Sequence, residues 1–173
     1  MPLSLIAPPQ PDEYASHYAG YVAKVPELNV LEALESNLDE LALLGSVPDA
    51  HAGHRYARDK WSIREVAGHL IDAERVFAYR ALRFSRKDAT NLPGFDENGF
   101  VASSAYDQCR LEDLLEEFRL TRHSNLWMFR GMTPDMLELR GTANNHPMSV
   151  RAAAAVMAGH VRHHLGVLKE RYL

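Results

Sequence analysis

Apolar residues recur at helical spacing, three or four positions apart, in four stretches of the chain. These stretches predict helices over about 30–45, 62–84, 110–131 and 150–172. No stretch alternates between apolar and polar residues over the length of a strand. Four long helices without a sheet predict an all-α protein, and the number of helices favours a four-helix bundle.

Capping residues support the predicted start of three of these helices. Asn29 and Ser149 can each accept a hydrogen bond from the first turn of the helix that follows. Ser62 and Glu65 have the spacing of a capping box, and Trp61 occupies the position of a hydrophobic staple before it. The second helix therefore has the best-defined start in the chain.

The segments between the helices differ in character. Residues 1–28, which hold five prolines and three tyrosines, are predicted to form an N-terminal arm with a short helical turn. Residues 29–173 are predicted to form a single bundle domain. A long connection over 85–108 is dense in turn-forming residues and permits a crossover between helices, and 139–148 is predicted to be another loop.

Composition excludes several classes of partner. The chain has 173 residues with 46% hydrophobic and 24% charged positions and a net charge of −4, which gives no electrostatic case for binding nucleic acid or an anionic membrane. Cys109 is the only cysteine, so no intrachain disulfide can form, as is typical of a cytoplasmic protein. We expect neither a signal peptide nor a membrane-spanning segment.

Three histidines are the strongest candidates for chemistry. His160 and His164 are four residues apart on one predicted helix, so both rings can reach one divalent ion. His69 lies among buried positions of another helix and could supply a third ring. Spacing alone also permits His160 and His163 as the pair, and a histidine on an apolar helix face is more often an ordinary core residue.

Carboxylates surround the first of these histidines along its helix. Asp72 and Glu65 lie one turn from His69, and either could accept its free ring N–H. For Glu65, the capping box is a sufficient explanation. For Asp72 and Glu74, a solvated face or a salt bridge with a neighbouring arginine (Arg64 or Arg75) explains the sequence equally well.

The long connection carries two further acidic residues. Asp96 and Glu97 could place a carboxylate over an open metal site as a general base or a substrate contact. They are equally typical of a turn, which is the simpler interpretation. The remaining histidines without ligand spacing are predicted to lie on the surface, namely His51, His54, His123 and His146.

Three segments together resemble one family. WSIREVAGHLIDAE at 61–74, LPGFDE at 92–97 and GHVRHHL at 159–165 resemble the DinB-like superfamily. They are most similar to the branch that includes YfiT-type metal-dependent hydrolases and bacillithiol S-transferases. The resemblance covers roughly residues 29–173 in order and spacing. It leaves the arm and the His- and Arg-rich loop at 49–60 unexplained.

The resemblance implies a fold, a metal and a set of ligands. It implies a four-helix bundle that forms homodimers and binds one divalent ion, with zinc and nickel as the usual candidates. The family ligands fall on His69, His160 and His164, which decides against His163.

Three functions are compatible with such a site. The leading hypothesis is a low-molecular-weight thiol S-transferase with open metal coordination, in which Asp72 or Glu97 assists. The alternatives are a hydrolase in which metal-bound hydroxide is the nucleophile and a stress-associated bundle that binds metal or a small ligand without turnover. The expected partner is a small molecule such as a cellular thiol, and the fold alone does not name a substrate.

Overall fold

A computed structural model describes residues 5–173 of the chain, which fold mainly into helices. In chain order the elements are α1 (Ala19–Val22), α2 (Val30–Ala42), α3 (Ile63–Ser85), β1 (Asn91–Leu92), α4 (Glu97–Ala102), α5 (Leu111–Arg130), α6 (Pro134–Glu138), β2 (Arg140–Ala143), β3 (His146–Ser149) and α7 (Val150–Arg171). The four long helices α2, α3, α5 and α7 confirm the predicted bundle, and their bounds lie within three residues of those predicted.

The capping residues act as the sequence indicates. Asn29 accepts from the backbone N–H of Leu31, and Ser149 accepts from that of Ala152. At the start of α3, Ser62 and Glu65 form the reciprocal hydrogen bonds of a capping box. These bonds satisfy backbone donors that have no partner within the helix and so determine where each helix begins.

Helix α7 packs against α1, α2 and α3, and its small side chains make this possible. Ala152 to Ala155 are fully buried, so neighbouring helices approach closely along this segment. A second core cluster includes Phe118 and Leu70. Within residues 5–173, no helix has the length and apolar character needed to span a bilayer.

A small sheet is present that the sequence did not predict. Strand β2 pairs antiparallel with β3 and parallel with β1, so both predicted loops contribute to one three-stranded sheet. Asn144 and Asn145 have positive φ angles of 50° and 63° and form the two-residue turn of the hairpin. The prediction of plain loops was wrong because strands of two to four residues are too short to show alternation.

The described part of the arm packs against the bundle. The Ile6 backbone N–H donates to Asn29 Oδ1 at 2.9 Å, and Ile6 is fully buried. Tyr14, Tyr18 and Tyr21 pack against the core. Residues 1–4 of the predicted arm lie outside the described residues, and the domain boundary at residue 28 stays a prediction.

Glu13 joins the arm to the start of α7. Its buried carboxylate accepts hydrogen bonds from Ser149 Oγ at 2.6 Å and Arg151 Nε at 2.7 Å, and the Gln10 backbone N–H donates to it as well. Burial alone would raise the pKa of Glu13, but these hydrogen bonds lower it from its ordinary 4.5 to about 2. Folding therefore strongly favours the charged carboxylate.

The depressed pKa of Glu13 predicts a pH-dependent stability. The contribution is present above pH 4.5 and is lost as the pH falls towards 2, because the unfolded chain takes up the proton first. We expect Glu13→Gln to lower the free energy of unfolding by about 3 kcal/mol at pH 7 and by much less near pH 2. Urea unfolding at several pH values measures this difference. The control is Asp12→Asn, which removes an exposed ion pair with Arg140. If Glu13→Gln lowered the free energy of unfolding equally at both pH values, the link between stability and the pKa of Glu13 would be refuted.

Candidate metal centre

Three histidine rings meet between α3 and α7. His69 Nε2 lies 3.0 Å from His160 Nε2, and His164 Nε2 lies 3.1 Å from the same atom. One ligand atom from each ring lies within 4.8 Å of the other two. The structure thus brings together the three histidines that the sequence singled out.

The arrangement follows from the packing of two long helices. His160 and His164 are one turn apart on α7 and share a face, while the alanine-rich segment before them lets α3 approach. His69 lies in the first half of α3, among buried positions. The Trp61 ring, which precedes the capping box, packs on His69 with ring centroids 4.7 Å apart and so covers the cluster.

Burial keeps all three imidazoles neutral. Removal from water, assisted by nearby histidines, lowers the pKa of His69 to about 4 and that of His164 to about 3. The pKa of His160 lies well below its usual value for the same reason. Neutral rings present lone pairs rather than protons, which is the state that binds a metal.

The donor set fits a divalent ion. Nitrogens bound at 2.0–2.1 Å in a tetrahedral arrangement would be about 3.3 Å apart, close to the separations of 3.0 and 3.1 Å here. Each pair of neutral rings can share only one proton, so hydrogen bonding explains three converging nitrogens poorly. Three nitrogen ligands would leave a position for a substrate atom.

A cavity of roughly 330 Å³, here called the Arg80 cavity, reaches the cluster from the side of the arm. Its lining includes His69, His160, Tyr21, Phe77, Arg80 and Glu97. The Tyr21 ring packs on His160 with centroids 5.3 Å apart. A Cβ atom at Gly159 would lie 1.9 Å from the Tyr21 backbone oxygen, so the glycine lets the arm lie against α7 beside the site.

A second cavity, here called the Trp61 cavity, reaches the cluster from another side. It has a volume of roughly 240 Å³, and its lining includes Tyr56, Lys60, Trp61, His163, His164 and Tyr172. The loop at 49–60, which the family motifs left unexplained, therefore contributes to the surroundings of His164. The two cavities contact different members of the cluster.

Asp72 and Glu65, the two carboxylates one turn from His69, have other hydrogen-bond partners in the structure. Asp72 accepts a hydrogen bond from Tyr106 Oη at 2.7 Å, and Glu65 is engaged by Ser62 and Arg55. Neither accepts a hydrogen bond from His69, so the predicted contacts with the ligand ring are absent. A carboxylate one turn away on a helix reaches the same ring only if both side chains lean together, and here Asp72 turns to the 3₁₀ helix at 106–108.

The long connection supplies one residue to the cavity. Asp96 is the N-cap of α4 and accepts from the Asn98 backbone N–H at 3.1 Å, and Glu97 is the first residue of that helix. The interpretation of both as turn residues was therefore wrong, because the turn-rich segment contains a short helix. Glu97 lines the Arg80 cavity with His69 and His160. His163 lies outside the cluster and packs on Tyr21. The four histidines predicted on the surface are exposed.

The structure buries Glu74, for which the sequence offered an exposed position as one alternative. Glu74 pairs with Arg122 through two hydrogen bonds of 2.7 and 2.8 Å, and both side chains are almost fully buried. For Glu74, the alternative of a solvated face or a salt bridge with Arg64 or Arg75 is therefore wrong. Arg122 lies on the apolar stripe of α5 between Phe118 and Leu126, and this position was the signal that could have predicted its burial.

Arg80 was also missed in the sequence. It follows His69, Ala73 and Phe77 along the buried stripe of α3, at helical spacing, so a search for charges on that stripe would have found it.

The fold and the cluster define a class of protein, a helical bundle with a three-histidine candidate metal centre. The chain belongs to the DinB superfamily, whose family model matches residues 31–168. No curated protein matches the sequence significantly.

A solved structure shares the fold. YfiT from Bacillus subtilis, described as a probable metal-dependent hydrolase with an unusual four-helix bundle topology, aligns with a TM-score of 0.72. The alignment covers 82% of each chain at 16% sequence identity. At this identity the likeness establishes the fold, and the chain is similar to that protein in its four-helix bundle topology.

Proposed function

We propose that this protein is a metal-dependent enzyme that transfers a low-molecular-weight thiol to an electrophilic small molecule. His69, His160 and His164 would hold one divalent ion, with zinc or nickel favoured because imidazole nitrogen suits both. The observation that carries this proposal is the convergence of three neutral, largely buried rings beside two cavities.

The surrounding residues have separate tasks in this mechanism. Burial by the bundle keeps the three imidazoles unprotonated at neutral pH, as their lowered pKa values indicate. Trp61 and Tyr21 cover two sides of the cluster and limit the access of water. When bound, the ion would stabilise a thiolate over a thiol and so supply a nucleophile at neutral pH.

The two cavities favour a reaction with two substrates. The Arg80 cavity contacts His69 and His160, whereas the Trp61 cavity contacts His164. A thiol and an electrophile could therefore approach the same centre from different sides. The space beside the cluster also supports turnover over the alternative of metal or ligand binding without reaction, which predicts a closed coordination shell or no room beside the ion.

Two carboxylates, Asp72 and Glu97, are candidates to assist the reaction. Glu97 has the better position, because it lines the Arg80 cavity and could accept a proton from a bound thiol through an intervening water. Asp72 is held by Tyr106, so any contribution would pass through that hydrogen bond.

Hydrolysis is the second candidate function. It is favoured by the shared fold with YfiT, which is described as a probable metal-dependent hydrolase. Both reactions need the same ion with an open position, so the histidine geometry supports either. A hydrolase needs only one cavity for its organic substrate, and water would take the place of the thiol.

An activity panel tests the proposed function. The purified protein, loaded with zinc or nickel, is given several cellular thiols and 1-chloro-2,4-dinitrobenzene as a generic electrophile. We expect a conjugation rate that depends on the metal and disappears after chelation. No metal-dependent rate with any thiol would refute the transferase, and cleavage of ester or amide substrates without thiol would support the hydrolase.

Three further properties complete the proposal. We expect a homodimer, as the family resemblance implies, and a cytoplasmic protein, as the lone Cys109 suggests. Light scattering of the purified protein would measure the oligomeric state. The substrate is a small molecule, since the cavities beside the cluster are of a size for metabolites.

A further inference from the structure

The Arg80 cavity contains a buried cation, Arg80, that has no carboxylate partner in the part of the chain that the structure describes. Arg80 is 3% exposed, and its guanidinium packs over the Phe77 ring at 5.1 Å from the centroid. Its hydrogen bond within the described residues runs from Nη2 to the backbone oxygen of Pro93, at 3.1 Å. None of the ion pairs among residues 5–173 includes it.

The two buried arginines, Arg80 and Arg122, differ in how their charge is compensated. Arg80 and Arg122 are the two arginines that are buried among the described residues. Arg122 is neutralised by Glu74 and also donates to Leu34 and Asn37. Burial of a charge is costly unless an opposite charge and hydrogen bonds compensate it. Arg80 therefore lacks the compensation that the protein gives its other buried arginine.

The unused donors of Arg80 are not sealed inside the protein. Within residues 5–173, the one sealed side-chain nitrogen without a hydrogen-bond partner belongs to Arg64. The free N–H groups of Arg80 are therefore not enclosed by protein. Arg80 lines the Arg80 cavity and also a neighbouring apolar cavity formed with Pro93 and Phe95. A planar guanidinium with free N–H groups is suited to bind a carboxylate through two hydrogen bonds.

The position of Arg80 relative to the histidines sets the geometry of a ligand. His69 and Arg80 lie on one face of α3, separated by three turns, so their Cα atoms are about 16 Å apart. Side chains on a helix lean towards its N-terminus, which directs the long Arg80 side chain towards His69. A single ligand could thus place an anionic group at Arg80 and its reacting group at the cluster.

The charges in the cavity favour a carboxylate over a phosphate. Arg80 is the cavity's one arginine or lysine among the described residues, and the Glu97 carboxylate lines the same space. A phosphate monoester carries nearly two negative charges at neutral pH and would be repelled more strongly by Glu97. A carboxylate carries one charge and matches the single guanidinium.

We propose that Arg80 is a specificity-determining residue that binds a carboxylate of the substrate at the end of the cavity away from the three histidines. The proposal rests on the proposed function in one respect, that the bound molecule is the one that reacts at the cluster. It narrows the substrate to a molecule with a carboxylate at one end and a thiol or electrophilic group at the other.

The test measures binding of hexanoate by titration calorimetry, with hexanol and hexyl phosphate as matched ligands. We expect the full-length protein to bind hexanoate at least tenfold more tightly than hexanol. Arg80→Met should remove this preference, and Arg80→Lys should restore part of it. The control is Arg75→Gln on the same helix, which removes an exposed partner of Glu117 and should leave binding unchanged.

Stability supplies an independent measurement. Because Arg80 is an uncompensated buried cation, Arg80→Met should leave the urea midpoint of the ligand-free protein unchanged or raise it. A structural role would lower the midpoint instead and would overturn the proposal. No measurable binding of hexanoate, equal binding to wild type and Arg80→Met, or tighter binding of hexyl phosphate would each overturn it as well.

Chelation separates this proposal from the proposed function. The titration is repeated after metal removal, and the affinity for hexanoate should persist, since Arg80 and not the ion binds the carboxylate. Affinity that disappears with the metal would overturn the role of Arg80. Conversely, absence of any metal-dependent reaction would refute the proposed function and leave the expected titration result unchanged.

Discussion

Replacement of His160 by Ala is expected to abolish stoichiometric metal binding while the bundle stays folded. His160 Nε2 is the atom that both other rings approach, at 3.0 and 3.1 Å. Its loss leaves only the nitrogens of His69 and His164 to hold the ion. In a metal site with three protein ligands, the open position is taken by water or substrate. No other protein group therefore replaces a ligand that is lost. Elemental analysis of the purified variant measures the metal content, and circular dichroism measures the helix content.

His163→Ala is the matched control for this prediction. His163 is three residues from His160 on the same helix, but it packs on Tyr21 and lies outside the cluster. We expect its removal to leave the metal content near that of the wild type. Full metal content in His160→Ala would contradict the assignment, and a large loss in His163→Ala would favour the i,i+3 pair instead.

Replacement of Glu74 by Ala is expected to destabilise the protein strongly, with a loss of about 3–5 kcal/mol in the free energy of unfolding. Arg122 is fully buried and depends on Glu74 for its charge partner, with two hydrogen bonds of 2.7 and 2.8 Å. Without the carboxylate, the guanidinium would remain as an uncompensated charge between helices α2, α3 and α5. Urea unfolding followed by circular dichroism measures the change.

Two comparisons make this prediction specific. Glu117→Ala removes the partner of Arg75 in an exposed ion pair, and such pairs contribute at most about 1 kcal/mol. The double replacement of Glu74 and Arg122 by Leu and Met should recover much of the loss, because no buried charge then remains. A loss for Glu74→Ala as small as that for Glu117→Ala would show that the buried pair contributes little.

Local chemistry explains why the helices were predictable. A helix needs partners for its first N–H groups, and Asn29, Ser62 and Ser149 supply them within one turn of sequence. The apolar stripes then identify the buried faces, since helical spacing brings every third or fourth residue to one side. Both signals lie within segments of about twenty residues, so they can be recognised from the sequence without knowledge of tertiary contacts.

Contacts between distant segments were not predictable in this way. The parallel pairing of β1 with β2 joins residues about fifty positions apart, and neither strand is long enough to show a pattern. Glu74 and Arg122 are likewise separated by 48 residues, so the partner of each charge depends on how α3 packs on α5. The approach of Tyr21 to Gly159 depends on the arm folding back over α7.

By itself, the sequence determined the four long helices, the capping residues of three of them, and the family to which the three histidines point. Only the tertiary structure decided that the three Nε2 atoms converge, that Asp72 turns to Tyr106, and that Arg80 lines a cavity with His69 and His160 and has no carboxylate partner within residues 5–173. The physical reason is the distance along the chain over which each interaction acts. Helix propensity and capping act between neighbours in the chain, whereas a binding site is made by side chains that meet only after the helices have packed.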